Sequence, residues 1–423
     1  IHSFKVLAHI PLTIGILTDA HLDPGYESGG VADCDAPTCC RKGNSPPAGH
    51  WGDYRDLHLA NGVNIDAIYY VGDTIDHHIW ETTYEAIDDM NRHVVEKIRN
   101  NFGPDVKVIP VVGNHESQPT NQFAPPRVTG EKVNTTWLYD ALAEKWGSYL
   151  SEEAMETLRD RGEFSVLIRP GLRAISVNNN VAYRMNWWIV YDPQDAKRHL
   201  EWLVDELYKA ERAGEKVHIL AHIPPGVADL IYYWTREYNR IINRFSSTIV
   251  AEFNGHTHSD EFKIFYSDAG EPSALAWGGG SATTYSNYNL NYKVATFNPD
   301  TFFTYIHTYT LTPISHKRPH WFQLYNVTNS FSIPDLTPAT MDNLVTSMVS
   351  TAPHLLDMYS AFYSKLSDNR MLWCGDGCKI DNLCKTVVTV LWERERLLLC
   401  IVFSTCLSSA ALWWLRFARF VIF

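Results

Sequence analysis

Leu12-Thr13-Ile14-Gly15-Ile16-Leu17-Thr18-Asp19-Ala20-His21 is an apolar run that stops abruptly at two side chains able to bind a cation. A short, nearly continuous apolar stretch of this kind reads as a buried strand. The same layout recurs downstream: Ile65 to Val71 runs into Gly72-Asp73, Val106 to Val112 into Gly113-Asn114-His115-Glu116, Val217 to Leu220 into Ala221-His222, and Thr248 to Phe253 into Asn254-Gly255-His256-Thr257-His258. All five runs read as strands. Between them Tyr84, Ile87, Val94 and Ile98 recur at helical spacing, as do Leu200, Leu203, Val204 and Leu207. Strands alternating with helices predict a layered α/β domain. In such sheets ligands bind beyond the carboxyl ends of the strands, where all five polar clusters would project.

Each cluster alone says little, since a lone histidine at a strand end is more often a structural hydrogen-bonding group. The ordered set Asp19-x-His21, Asp73, Asn114, His222 and His256-x-His258, each member following a strand, points instead to metal. Imidazole nitrogen combined with carboxylate and amide oxygen, without thiolate, suits divalent ions of zinc, manganese or iron character and disfavours calcium. One bridging carboxylate would hold two ions about 4 Å apart, a clamp for in-line displacement at phosphorus.

Composition sets the wider bounds. The chain has 423 residues, 45% apolar and 13% aromatic, enough for one large core. Its formal charge is −12. That balance argues against a nucleic-acid partner, which demands a surplus of Lys and Arg on some face. Eight cysteines cluster as Cys34, Cys39 and Cys40, then Cys374, Cys378 and Cys384, then Cys400 and Cys406. The first two clusters read as disulfide staples in loops, which suits an oxidising compartment. The sequons at Asn134 and Asn326 point the same way, and any secretory leader is expected to have been either removed or left out ahead of Ile1.

Several longer stretches resemble the acid sphingomyelinases within the calcineurin-like metallophosphoesterases. They are Leu17-Thr18-Asp19-Ala20-His21-Leu22-Asp23-Pro24, Cys39-Cys40-Arg41, Gly49-His50-Trp51-Gly52-Asp53-Tyr54, Asn114-His115-Glu116-Ser117, His222-Ile223-Pro224-Pro225-Gly226 and Gly255-His256-Thr257-His258-Ser259-Asp260-Glu261-Phe262. The resemblance runs from about residue 12 to about 384. It implies an α/β fold of two packed mixed sheets flanked by helices, with a small helical C-terminal region. It implies two zinc ions, one on Asp19, His21, Asp73 and His258, the other on Asp73, Asn114, His222 and His256, with Asp73 bridging. A shared hydroxide would then attack phosphorus and split sphingomyelin, at a membrane surface, into ceramide and phosphocholine. His115 is the implied proton donor, and His77 a second histidine near the leaving oxygen, with the adjacent His78 competing for that place. The implied disulfides are Cys34 with Cys39 and Cys374 with Cys378, and the implied location is secreted or lysosomal.

The sequence also departs from that family. The saposin-like lipid-presenting domain expected ahead of the catalytic domain is not among these residues, so either the sequence is a fragment or the enzyme works without it; Asp56 stands where a partner for Cys40 is expected, and Val227-Ala228-Asp229 lacks a family cysteine. By organisation we expect a catalytic domain over 1–311, a helical disulfide-containing region over 312–384 and a divergent tail over 385–423, with residues 261–311 forming a second sheet. Leu397 to Leu415 is uncharged and long enough for a membrane anchor, the competing reading being a spurious gene end. Two other functions share these features: a secreted nucleotide phosphodiesterase of the acid sphingomyelinase-like group, and a membrane-anchored binding protein without turnover.

Overall fold

A computed structural model of the chain describes residues 10–27, 30–31, 41–43, 64–298, 304–311 and 321–391. Its strands, in chain order, are β1 (Leu12–Leu17), β2 (Ala67–Tyr70), β3 (Lys107–Pro110), β4 (Phe164–Arg169), β5 (Leu172–Val177), β6 (Lys216–Ala221), β7 (Ile249–Asn254), β8 (Phe262–Tyr266), β9 (Pro272–Gly278), β10 (Asn291–Phe297), β11 (Thr304–Leu311) and β12 (Trp321–Asn326). They form two six-stranded mixed sheets, ordered β12-β11-β10-β1-β2-β3 and β4-β5-β6-β7-β9-β8. In the first, β1, β2 and β3 run parallel. In the second, β5, β6, β7 and β9 do.

The strands bury both faces, which is why they read as continuous apolar runs instead of alternating ones. On β2, Ala67 and Tyr69 join an interior cluster shared with Ile14 and Ile16 of β1 and with Ala251 and Phe253 of the opposing sheet. Ile68 and Tyr70 point the other way, into a layer with Ile87, Val94 and Ile98 of the helix Tyr84–Phe102. That helix starts where Thr83 caps it, its side chain accepting from the Ala86 amide at 3.2 Å. Across the molecule the helix Asp195–Ala213 lays Leu200, Leu203 and Leu207 on the outer face of the second sheet.

The expectation that residues 261–311 make a sheet of their own is wrong. β8 and β9 complete the second sheet, whereas β10 and β11 pair antiparallel alongside β1 in the first. Local pattern fixes that a segment is a strand; the partner is chosen by long-range packing. β12 pairs with β11, so the chain after residue 311 first adds an edge strand and only then turns helical.

The helices Pro338–Val349, His354–Tyr363 and Asp376–Val387 cover the second sheet, with Met341, Leu344, Tyr359 and Leu383 reaching the interior cluster. Cys374 and Cys378 form a disulfide beside the last of them. The Asp260 amide donates to the Tyr363 carbonyl at 3.0 Å, and its carboxylate pairs with buried Lys293, so the C-terminal helices also brace the loop that follows His258. Cys34, Cys39, Cys40, the Gly49–Tyr54 motif and the Leu397–Leu415 segment lie outside the described residues. Among the described residues no helix is long and apolar enough to cross a membrane.

Glu252 is an uncommon group for the middle of a sheet. It is 1% exposed, and one carboxylate oxygen accepts from Asn254 Nδ2 at 3.0 Å. Burial pushes its carboxyl up to about 7. A carboxyl whose folded value lies above its unfolded one stabilises the fold below the unfolded value, and that contribution is lost as pH rises through the folded value. Stability should therefore fall between about pH 4.5 and pH 7 by on the order of 3 kcal/mol from this residue. Thermal melts of the wild type and Glu252→Gln across that range measure it; parallel pH profiles would refute it.

Candidate metal centre

All five polar clusters emerge at the carboxyl ends of parallel strands: β1, β2 and β3 in one sheet, β6 and β7 in the other. The seven residues singled out in sequence meet there. His258 Nε2 lies 3.2 Å from Asp19 Oδ1 and 3.1 Å from His21 Nε2. His21 Nε2 lies 3.6 Å from Asp73 Oδ2. Asp73 Oδ2 is 3.1 Å from His222 Nε2, which is also 3.1 Å from Asn114 Oδ1. His256 Nδ1 closes the array at 2.9 Å from Asn114 Oδ1.

The backbone is bent to bring them in. Asp19, His21, Asp73, His256 and His258 all have φ between 41° and 69°, a left-handed conformation costly for residues with a Cβ. Such strain persists where surrounding structure over-determines it, and it clusters at functional sites. Two glycines make the crowding feasible: a Cβ on Gly113 would stand 2.2 Å from Asp73 Oδ1, and one on Gly255 would stand 2.5 Å from Asp19 Oδ2.

The proton inventory tests whether these residues fit metal. His21 Nδ1 donates to the Ile75 carbonyl at 2.6 Å, His222 Nδ1 to the Val71 carbonyl at 2.7 Å, and His258 Nδ1 to the Tyr285 carbonyl. Carbonyls only accept, so in each neutral ring Nδ1 holds the proton and Nε2 keeps a bare lone pair. Those lone pairs face one another and carboxylate oxygens across about 3 Å, in a buried pocket, with nothing among the described residues to donate between them. Asn114 adds to the conflict, because its Nδ2 donates to Asn121 Oδ1 at 2.8 Å and leaves Oδ1 aimed at the histidines. Acceptors facing acceptors in low dielectric are stable only around positive charge. His222 registers that demand: burial disfavours its charged form, yet Asp73 and Asp19 push it up to about 10. His21 goes the other way, to about 4, because burial and neighbouring His115 and His258 outweigh Asp19. Clusters of ligand atoms lie within 4.8 Å of one another around His21, Asp73 and His115, around His21, His77 and His258, and around Asp73, His222 and His256. The donor set thus fits a pair of divalent cations sharing Asp73.

His115 and His77 flank this array. The His115 amide donates to Asp73 Oδ1 at 2.9 Å and its Nδ1 to the Asp76 carbonyl at 2.9 Å, which turns Nε2 to within 4.0 Å of Asp73 Oδ2. His77 is sandwiched between His21 and Tyr285, with ring centroids 4.0 and 3.8 Å away. Burial, then His21 and His115, hold it far below the usual imidazole range. His78 turns aside to Arg41, whose guanidinium donates to its Nδ1 at 2.8 Å and to Asp23 at 2.5 Å. The sequons lie elsewhere. Asn134 Nδ2 donates to Gly130, whereas Asn326 is 7% exposed, caps the helix Val327–Phe331 and contacts His307, so its amide must swing out before it can carry a glycan.

Three contributors were missed in sequence. Glu116, 2% exposed, accepts from the amides of Gly113 (2.7 Å), Asp73 (3.1 Å) and Thr74 (2.5 Å), tying the loops after β2 and β3 together. Its place in Gly113-Asn114-His115-Glu116 was its signal. Tyr285 orients His258 and stacks on His77; the preceding run Gly278-Gly279-Gly280, which announces close backbone approach, could have found it. Asp229 approaches His256 Nε2 at 3.3 Å, and no local pattern marks it.

Comparison with known proteins agrees with this geometry. The family model for calcineurin-like phosphoesterase matches residues 12–260. Sphingomyelin phosphodiesterase B of Dictyostelium discoideum is 34% identical over 87% of this chain and 62% of its own length. Sphingomyelin phosphodiesterase of Homo sapiens is 36% identical over 87% of this chain and 62% of its own length. Sphingomyelin phosphodiesterase 1 of Caenorhabditis elegans is 31% identical, over 87% and 68%. The chain spans a little under two thirds of the length of the first two relatives. It belongs to the calcineurin-like phosphoesterase family, in the group of the sphingomyelin phosphodiesterases.

Proposed function

We propose that this chain is a zinc-dependent phosphodiesterase that hydrolyses sphingomyelin to ceramide and phosphocholine. The observation that carries the reading is the acceptor-lined pocket around Asp73, found in a chain whose relatives are named sphingomyelin phosphodiesterases. Asp19, His21, Asp73 and His258 hold one ion, and Asp73, Asn114, His222 and His256 the other. Nitrogen and oxygen donors without thiolate suit zinc. When bound, such a pair supplies positive charge to the phosphoryl group and activates water for in-line displacement.

The chain's own residues do the rest. With Nδ1 committed to the Asp76 carbonyl, His115 can carry a second proton only on Nε2, which faces Asp73. From there it protonates the ceramide oxygen as the P–O bond breaks, sparing the departure of an alkoxide. His77, held unprotonated and stacked between His21 and Tyr285, lines the leaving-group side without donating. The Cys374–Cys378 disulfide fits a secreted or lysosomal setting.

The test supplies purified protein with zinc and compares phosphocholine release from sphingomyelin liposomes with phosphate release from nucleoside triphosphates. Phosphocholine release, lost in His222→Ala, is expected. Turnover of nucleotides alone would replace sphingomyelin with a nucleotide substrate, and turnover of neither with zinc bound would leave a binding protein.

A further inference from the structure

We propose that Asp229 is a positioning residue that sets how tightly the cation beside Asn114 is held, an inference that rests on the two-cation reading of the site. Three of the four histidines in the array hand their outer N–H to main-chain carbonyls, those of Ile75, Val71 and Tyr285. His256 differs. It faces Asn114 through Nδ1 (2.9 Å) and turns Nε2 outward to the Asp229 carboxylate, 3.3 Å away. A carboxylate behind a ligating imidazole fixes its tautomer and makes the inward nitrogen a stronger donor.

Charge explains why the carboxylate stands behind this histidine. The ion at Asp19, His21, Asp73 and His258 is faced by two carboxylates. The ion at Asp73, Asn114, His222 and His256 is faced by one, which it shares, because Asn114 contributes a neutral amide. Asp229 returns a negative charge to that poorer half from just outside the ligand shell.

The loop that carries Asp229 is held on both sides. Asn179 Nδ2 donates to the Ile223 carbonyl at 2.6 Å, and the Ile223 amide donates to Asn179 Oδ1 at 3.2 Å. An isolated bridge pairs Tyr183 with Leu230, and the Arg184 amide donates to the Asp229 carbonyl at 2.7 Å. Arg184 Nε stands 3.6 Å from Asp229 Oδ1, leaving Oδ2 to His256, while the Tyr183 ring packs edge-on against His256 with centroids 5.7 Å apart.

The experiment loads the full chain with zinc, equilibrates it against chelator buffers of graded free zinc, and counts zinc per chain by plasma emission, with no substrate present. Wild type, Asp229→Asn and Asp229→Glu are compared, together with Arg184→Ala, which leaves the contact to His256 in place. Asp229 is 29% exposed, so none of these changes opens the core. Asp229→Asn should release one of its two ions at 10–100-fold higher free zinc than wild type, the other being unchanged. Asp229→Glu should recover part of that affinity, and Arg184→Ala should match wild type. A wild type that binds fewer than two ions sinks the two-cation reading, and Asp229's role with it. A wild type that binds two, with Asp229→Asn matching it at every setting or losing both ions together, sinks the role of Asp229 alone.

Discussion

Asp73→Asn should lower phosphodiester turnover by at least about 10³-fold, the scale of losing a preorganised electrostatic group at a reaction centre. Asparagine has the same shape and can still accept from the His115 amide, so the fold around it should survive. What changes is charge. Asp73 is the carboxylate facing both halves of the array, 3.6 Å from His21 and 3.1 Å from His222, and it keeps its proton off at any working pH because its histidine neighbours outweigh its burial. An amide in its place offers one oxygen and no net charge to two cations. Zinc content measured beside initial rate checks the cause: both should fall in parallel. A variant with two zinc ions and near-wild-type rate would remove Asp73 from the centre of the site.

The second large effect belongs to His115. His115→Ala should keep both ions and lose about 10²–10⁴-fold in rate on sphingomyelin, the usual contribution of a placed proton donor. The same variant should recover most of its rate on a nitrophenyl phosphodiester, whose leaving group needs no proton. His115 touches Asp73 through its backbone amide, which alanine retains, so metal binding and proton donation separate cleanly. An equal loss on both substrates would assign His115 to holding the site, not to protonating the leaving group.

The parts of this architecture readable in sequence were those fixed by local pattern. The runs ending at Leu17, Val71, Val112, Leu220 and Phe253 match β1, β2, β3, β6 and β7 to within a few residues, because strands buried on both faces must be apolar throughout. The polar residues after them converge because parallel strands end on the same side of a sheet. What local pattern does not carry is partnership. Residues 261–311 have strand character in either sheet, and only packing against β1 or β7 assigns them. Asp229 and Tyr285 act on histidines 27 residues away in the chain, through loops whose course depends on distant anchors such as the Tyr183–Leu230 bridge. The left-handed backbone at Asp19, His21, Asp73, His256 and His258 was equally hidden, since nothing in a residue's identity announces strain imposed by its surroundings.

The two layers of the sandwich each contribute to the Asp73 cluster, three strand ends from one and two from the other. Cations held there would rivet one layer to the other, because whatever binds the folded form and not the unfolded chain adds its binding energy to the integrity of the whole sandwich. The lifetime of this protein should thus follow the metal supply of its surroundings, since a chain stripped of both cations loses the tie between its layers together with its chemistry.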